Sequence, residues 1–411
     1  MIKTKTVARW LVYLVAVLAL VATFAPAYAQ QNTAQVDKAV AYIRTQQQAD
    51  GSFAGFGPGS TADAILALAA ANQNIAEIKQ GSGASPVEYV RSQAATTASD
   101  AGVSAKFLIA ALVAGQSPTF EGVDLVANVE QSYNQQTAQY GKDVTTHAYS
   151  LIGLVAAGRT PKAEAVEALK KLQLPDGGWS FDGTAATGSD TNTTSLAVQA
   201  LKATGDTSDA IGKAIAYFKA QQNGDGGFPY SQSSQFGNAS DANSTALSIQ
   251  ALIAAGESLQ NWSRGSQNPA QRLAAFQNES GAFRYQDTQP EDNALATYQA
   301  VPALVGKTLP LEGIVIAFPD VPSASPDPSA SASPDPSASA SPSASASPDP
   351  LASEAPSATP APVPAPSTPP SGGVPVPVQL PNTGVEDWMP AAALIGALLL
   401  LSGLAVNRRR A

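Results

Sequence analysis

One short phrase, Gln-x-x-Asp-Gly-(Gly/Ser)-aromatic, sits between Ala-rich helical segments three times intact and once in altered form. The copies run from Gln47 to Phe53, Gln173 to Trp179, Gln222 to Phe228 and Gln277 to Phe283, and the last has Ser280 where the others have Asp50, Asp176 and Asp225. A phrase that recurs at long intervals marks units that cannot bury their own apolar face and must stack on one another. The fold is therefore read from the repeat before any single site.

Small-residue stops that end the apolar segments fall at Asn72, Gly115, Gly158, Gly205, Gly256 and Gly306, in steps of 43, 43, 47, 51 and 50 residues. Each step is long enough for two helices. The first of a pair is amphipathic: Val36, Val40 and Ile43 share one face, as do Ile211, Ile215 and Phe218, with Lys and Gln opposite. The second is apolar nearly all round, as in Thr194 to Gly205 and Thr245 to Gly256, so it must be packed on every side. Six hairpins with apolar inner and amphipathic outer helices predict an all-α fold, an (α/α)6 toroid over residues 30–312.

The outer-helix pattern followed by the phrase resembles the QW repeat of squalene and oxidosqualene cyclases, prenyltransferase β-subunits and cobalamin carriers. The likeness is clearest in repeats one, four, five and six. Repeats two and three keep Gln93 and Gln136 but lack the Asp-Gly-Gly turn. In that family the phrase is chiefly a structural clasp, which implies a turn role for Gln47, Asp50, Phe53, Gln173, Asp176, Trp179, Gln222, Asp225, Phe228, Gln277 and Phe283. The glycines permit φ above zero, and the Asp can accept from turn N–H groups.

A second recurring element lies just ahead of the inner helices, where a toroid has the mouth of its cavity. Asp100, Asp143, Asp190, Asp241 and Asp292 stand there. Each suits an N-cap, because a carboxylate oxygen accepts from the exposed N–H groups of a helix start. Together they also form a candidate ring of carboxylates, joined by Asn192, Asn243 and the chain's single histidine, His147. His147 reads either as a hydrogen-bonded structural residue or as a cavity ligand. Phe181, Tyr230 and Tyr285 each follow a clasp aromatic by two positions and are placed at the rim or in packing.

The resemblance implies chemistry that the residues do not supply. Class II cyclases protonate an alkene with Asp-x-Asp-Asp, whereas the nearest segments here are Asp190-Thr191-Asn192-Thr193 and Asp241-Ala242-Asn243-Ser244. An amide and a hydroxyl replace the second and third acids. Prenyltransferases hold zinc with Asp, Cys and His, and this chain has no cysteine and one histidine. No metal or cofactor is expected. Cobalamin carriers close a β domain over the corrinoid, and none follows the toroid here. A binding module for a small molecule, a glycan or a protein is the reading that remains, with a glycosidase or lyase using paired carboxylates as its enzymatic alternative.

The ends give an address. Lys3, Lys5 and Arg9 precede an apolar run and then Ala27-Tyr28-Ala29, the order of a secretory signal over residues 1–29. Residues 313–379 form a Pro/Ser/Ala-rich linker, and within it residues 321–379 are too poor in apolar surface to fold. As polyproline II those residues reach roughly 180 Å. Residues 380–411 open with Leu380-Pro381-Asn382-Thr383-Gly384, continue into an apolar helix over 389–406 and end on Arg408, Arg409 and Arg410. This order resembles an LPxTG cell-wall sorting signal. It implies cleavage after Thr383 by a sortase, linkage of Thr383 to peptidoglycan, and membrane contact only through the C-terminal helix before sorting.

Cleavage at both ends removes six basic residues together with Glu386 and Asp387, leaving 17 basic against 30 acidic residues. So acidic a chain argues against nucleic acid and anionic membrane surfaces as partners. With no cysteine, an exported protein here gains nothing from disulfides, and stability rests on the core.

Overall fold

The computed structural model describes residues 33–120, 122–235 and 237–311, so the secretory signal, the linker and the sorting signal lie outside the described residues. Six outer helices alternate along the chain with six inner ones. The outer set is α1 (Thr33–Thr45), α3 (Pro86–Ala94), α5 (Leu125–Gln131), α7 (Ala163–Lys171), α9 (Ala210–Gln221) and α11 (Pro269–Ala274). The inner set is α2 (Pro58–Ala70), α4 (Ala101–Val113), α6 (Val144–Ala156), α8 (Thr191–Ala203), α10 (Ala242–Ala254) and α12 (Ala294–Leu304). Each inner helix packs on the next, and α12 packs back on α2, so the ring closes as an (α/α)6 toroid.

Composition explains which helix goes where. Ala62, Ala67, Ala105, Ala148, Ala197, Ala200, Ala246, Ala251, Ala296 and Ala300 are fully buried on the inner helices, and their small side chains let neighbouring backbones approach. The outer helices bury one stripe only. In α1 it is Val36, Ala39, Val40 and Ile43, as the periodicity predicts. In α9 it is Ala210, Ala214, Tyr217 and Phe218, and the expected Ile211 and Ile215 are only half-buried at its edge. Two large rings draw that stripe toward themselves and away from the β-branched residues.

The clasps join one repeat to the next. The side-chain amide of Gln173 donates to Gly177 O in its own turn and to Ala210 O at the start of α9, both at 2.8 Å. Gln222 bridges Gly226 O (3.0 Å) and Trp262 O (2.6 Å) in the same way. Gln47 gives both donors to the following repeat, at Ile78 O and Ala84 O. Gln277 donates to Gly281 O at 2.9 Å and to Gln35 O of α1 at 2.8 Å, which ties the last repeat to the first.

Repeats two and three lack this bond. Gln93 is half-buried, and its side-chain amide donates to the neighbouring Ser92 hydroxyl. In repeat three, β3 (Tyr133–Asn134) and β4 (Gln139–Tyr140) form a two-residue antiparallel pair in the clasp's place. Before them, β1 (Thr119–Phe120) pairs with β2 (Val123–Asp124). A third hairpin, β5 (Phe283–Gln286) with β6 (Gln289–Asn293), leads into α12. Beyond α12 the chain crosses to α8, where the Leu309 N–H donates to Gln199 Oε1 at 2.8 Å and Leu309 and Leu311 are buried.

The first glycine of each clasp turn has a positive φ and lies against the next outer helix. At Gly226 φ is 87°, and a Cβ there would collide with the backbone of Gln267. Gly224, two residues earlier, has open space at the same position. Gly226→Ala is therefore expected to lower unfolding stability by about 2 kcal/mol or more, with Gly224→Ala within about 1 kcal/mol of wild type. Denaturant melts of the two variants compare them directly, and equal melts would remove the steric explanation.

Candidate functional site

Every clasp aromatic is held by the fifth residue of the inner-helix start that follows it. The backbone N–H of Phe53, Trp179, Phe228 and Phe283 donates to the hydroxyl of Thr61, Thr194, Thr245 and Thr297 at 2.8–3.1 Å. In repeat three the same place is taken by His147, whose Nδ1 accepts from the Tyr140 N–H at 3.0 Å. Its Nε2 lies 2.9 Å from Ala165 O, so that nitrogen carries the proton. The ring stacks on Tyr140 and is fully buried, and burial pushes its pKa down to about 4. The structure thus places His147 in the clasp, neutral and with both nitrogens engaged, rather than facing a cavity.

Four of the five expected acids cap inner helices. Asp100, Asp143, Asp190 and Asp241 accept from the backbone N–H of Val103, Thr146, Thr193 and Ser244 at 2.7–3.0 Å. Asp292 does not. The cap of α12 is Asn293, and Asp292 sits on exposed β6, accepting from Asn278 and Ser280 at 2.8 Å. The hairpin ahead of α12 moves the cap one residue along, and Asp292 instead completes the clasp turn in which Ser280 stands for Asp.

The four capping acids differ sharply in burial. Asp100 is exposed and Asp143 half-buried, whereas Asp190 and Asp241 are each only 1% exposed. The cause lies in the next repeat, where the residue two beyond the clasp aromatic folds over the preceding inner-helix start. The Val144 N–H donates to Phe181 O at 2.8 Å, and the Thr191 N–H donates to Tyr230 O at 2.9 Å. The residue at that position is Lys142 toward Asp100, Phe181 toward Asp143, Tyr230 toward Asp190 and Tyr285 toward Asp241. Tyrosine covers the two deepest acids. The Asp241 carboxylate, ahead of burial, drives the Tyr285 hydroxyl well above its ordinary pKa, while Tyr230 is raised first by burial and then by Asp190.

Burial sets the protonation of these acids. It pushes Asp190 up to about 6, against the opposing pull of Thr193 and Tyr230, and Asp241 up to about 7, against Ser244. Asp143 is raised by burial as well, with a smaller push from neighbouring Asp100. One oxygen of each deep acid, Oδ1, serves as the cap. The other, Oδ2, makes no hydrogen bond of good geometry, nor do the buried hydroxyls of Thr193 and Ser244, although Thr193 and Tyr230 lie close enough to Asp190, and Ser244 to Asp241, to favour the charged forms. Of the two amides, Asn192 is half-buried, and Asn243 donates to Gln299 Oε1 of α12 at 2.9 Å. Among the described residues no cluster of three or more His, Asp or Glu side chains is placed to hold a metal ion.

Sequence reasoning missed one buried charged pair. Lys106 Nζ on α4 meets Asp63 Oδ2 on α2 at 3.0 Å, with both side chains almost wholly buried, and the ammonium lies 5.3 Å from the Tyr149 ring centre on α6. Burial, offset by Lys106, raises the Asp63 pKa. One Lys and one Asp inside otherwise apolar segments were the available signal.

Residues 126–291 match the family model of the squalene-hopene cyclase C-terminal domain, and residues 4–94 match that of the prenyltransferase α/α toroid domain. The domain has the α/α toroid fold that the second of these models describes, and its sequence is similar to both. Drimenyl diphosphate synthase of Streptomyces showdoensis is 28% identical over 189 residues, which cover 45% of this chain and 35% of that protein. The chain thus spans about a third of that relative's length. Among solved structures, the type II terpene cyclase MstE from Scytonema is similar at 14% identity, covering 67% of this chain and 98% of that one with a TM-score of 0.49. A glycosidase in complex with glucose is similar at 13% identity over 68% and 98% of the two chains, with a TM-score of 0.46.

Within the toroid, the end of the ring where α8 and α10 begin holds two carboxyls that gain protons between about pH 7 and pH 6. A carboxylic acid of that strength donates and accepts hydrogen bonds.

Proposed function

We propose that this toroid is a ligand-binding module, carried outside the cell on a wall-anchored stalk, and that it does not perform cyclase or prenyl-transfer chemistry. The observation that carries the reading is the pair of sealed carboxyls under Tyr230 and Tyr285: Asp190 and Asp241, each 1% exposed, whose Oδ2 atoms and neighbouring Thr193 and Ser244 hydroxyls make no hydrogen bond of good geometry. A buried polar atom left wholly without a partner costs about 1–3 kcal/mol, and a poorly directed bond recovers only part of that. Two such acids at one end of one ring make a site that gains when a ligand supplies well-directed bonds. The ligand reaches them when the two tyrosine side chains swing aside. Because the acids are neutral below about pH 6, the site suits an uncharged polar group.

A second reading has one observation in its favour. A carboxyl held at about 7, as Asp241 is, carries its proton near neutrality, which the general acid of glycoside hydrolysis requires.

The display half of the proposal rests on the order of signal, spacer and Leu380–Gly384 signal along the chain. Thr383→Ala is expected to move the protein from the wall fraction to the medium or the membrane, and normal wall attachment would contradict it.

For the ligand, calorimetry of the mature full chain against a panel of glycans, corrinoids and isoprenoids is the test. At least one compound is expected to bind. Replacing Thr193→Val together with Ser244→Ala should weaken that binding about tenfold, two lost bonds of about 0.5–1.5 kcal/mol each, without lowering the melting temperature. Binding untouched by the pair would refute the ring-end site. Cleavage of a glycan that disappears in Asp241→Asn would favour the hydrolase reading instead.

A further inference from the structure

We infer a separate saccharide-binding groove on the outside of the ring, at the junction of repeats five and six. It is a cavity of about 340 Å³ whose wall includes Asn223, Asp225, Arg272, Gln286, Asp287 and Thr288. It draws on four pieces of chain: the clasp turn of repeat five, the segment 238–240 ahead of α10, the outer helix α11, and the turn between β5 and β6.

The groove departs from the repeat, and this separates it from scaffolding. At the preceding junction a Cβ on Gly178 would meet Ser189 and Tyr217, and at this one a Cβ on Gly227 would meet Ser240 and Arg272. Arg272 therefore stands where the previous repeat has Tyr217. Tyr217 is 2% exposed and fills its junction. Arg272 instead lies flat on Phe276, 3.9 Å from the ring centre, and reaches outward to two carboxylates: Asp225 Oδ2 at 2.8 Å and Asp287 Oδ2 at 2.6 Å. Space that a phenol occupies at one junction is left open at the next.

The chemistry of the wall selects the ligand class. Two carboxylates are balanced by Arg272 and by Arg284, which holds Asp287 Oδ1 at 2.8 Å, so the groove has no net charge with which to choose an ion. Of the lining side chains only Ala239 is apolar, which leaves little for an isoprenoid to contact. What remains is a dense mixture of donors and acceptors in fixed positions. Asp225 is pinned by Gly227, Ser240 and Arg272, and Asn223 by Ser240 and Gln232. Yet the Asp225 and Asp287 side chains remain 40% and 57% exposed toward solvent. Rigid, charge-balanced acceptors and donors match the hydroxyls of a neutral sugar, whose own donors and acceptors sit at fixed spacing. The volume is at the small end of ligand sites, about 300–1,000 Å³, so it suits one or two sugar units.

The groove is independent of the ring-end site, and the experiment keeps them apart. Maltose, cellobiose and diacetylchitobiose are titrated into the mature full chain at up to millimolar concentration by calorimetry. At least one is expected to bind, and Gln286→Ala with Thr288→Ala should weaken it about tenfold. Thr288→Trp, a change on an exposed turn, should abolish binding by filling the groove, with an unchanged melting temperature showing that the fold is intact. Failure of all three sugars to bind overturns the groove, as does binding that survives Thr288→Trp. Binding that is lost in Thr193→Val with Ser244→Ala but kept in the turn variants also overturns it, and assigns the sugar to the ring end.

Discussion

The structure depends on the two hydrogen bonds made by each clasp glutamine. A helical hairpin of this kind has no reason to meet the next at a fixed distance, since its apolar stripe would tolerate sliding. The amide of Gln173 or Gln277 removes that freedom by holding its own turn and the next outer helix together, and that of Gln222 ties its turn to Trp262 ahead of α11. The turn glycine in left-handed conformation then brings the two backbones into contact, with no room for a side chain. Because Gln277 closes onto Gln35, the same bond that spaces the repeats also makes the ring finite.

That spacing decides where functional groups can stand. Clasp, second aromatic and inner-helix start arrive in a fixed order, so each inner helix begins beneath a residue of the following repeat. The helix cap is common to the capping acids, whereas the cover varies. Lysine and phenylalanine leave Asp100 and Asp143 partly wet, and tyrosine seals Asp190 and Asp241. A single side-chain choice two residues past the clasp thus converts an ordinary cap into a buried weak acid.

Much of this was legible in the sequence, for a physical reason. The clasp is local and its residues are close in the chain, so four copies of the phrase are readable, and with the spaced small-residue stops they predict six hairpins. Contacts between repeats were harder to read. Asp292 looked like a cap by its position, but the β5–β6 hairpin transfers that role to Asn293. His147 stood out as the chain's one imidazole, yet its role becomes visible only when it is superimposed on Thr194 and Thr245, which accept the same backbone N–H with a hydroxyl. The Asp63–Lys106 pair joins residues 43 positions apart on two inner helices, beyond the reach of any local pattern. The clasp Asp225 was read as structural. It is so through Gly227, while its second oxygen, turned to Arg272, helps to build the groove.

The ring end carries two buried carboxylic acids whose pKa values are raised into the mildly acidic to neutral range. Free aspartate titrates near about 3.9, so a folded value raised to about 6 or 7 means extra protons bound by the native state. The stability they contribute is full below about pH 4 and is lost as pH rises through 6 to 7. The direct measurement is a pH titration of the aspartate side-chain carboxyl carbons by 13C NMR. Two resonances titrating near 6 and near 7, absent from Asp190→Asn and Asp241→Asn respectively, are the predicted result. Every aspartate titrating below about 5 would contradict it.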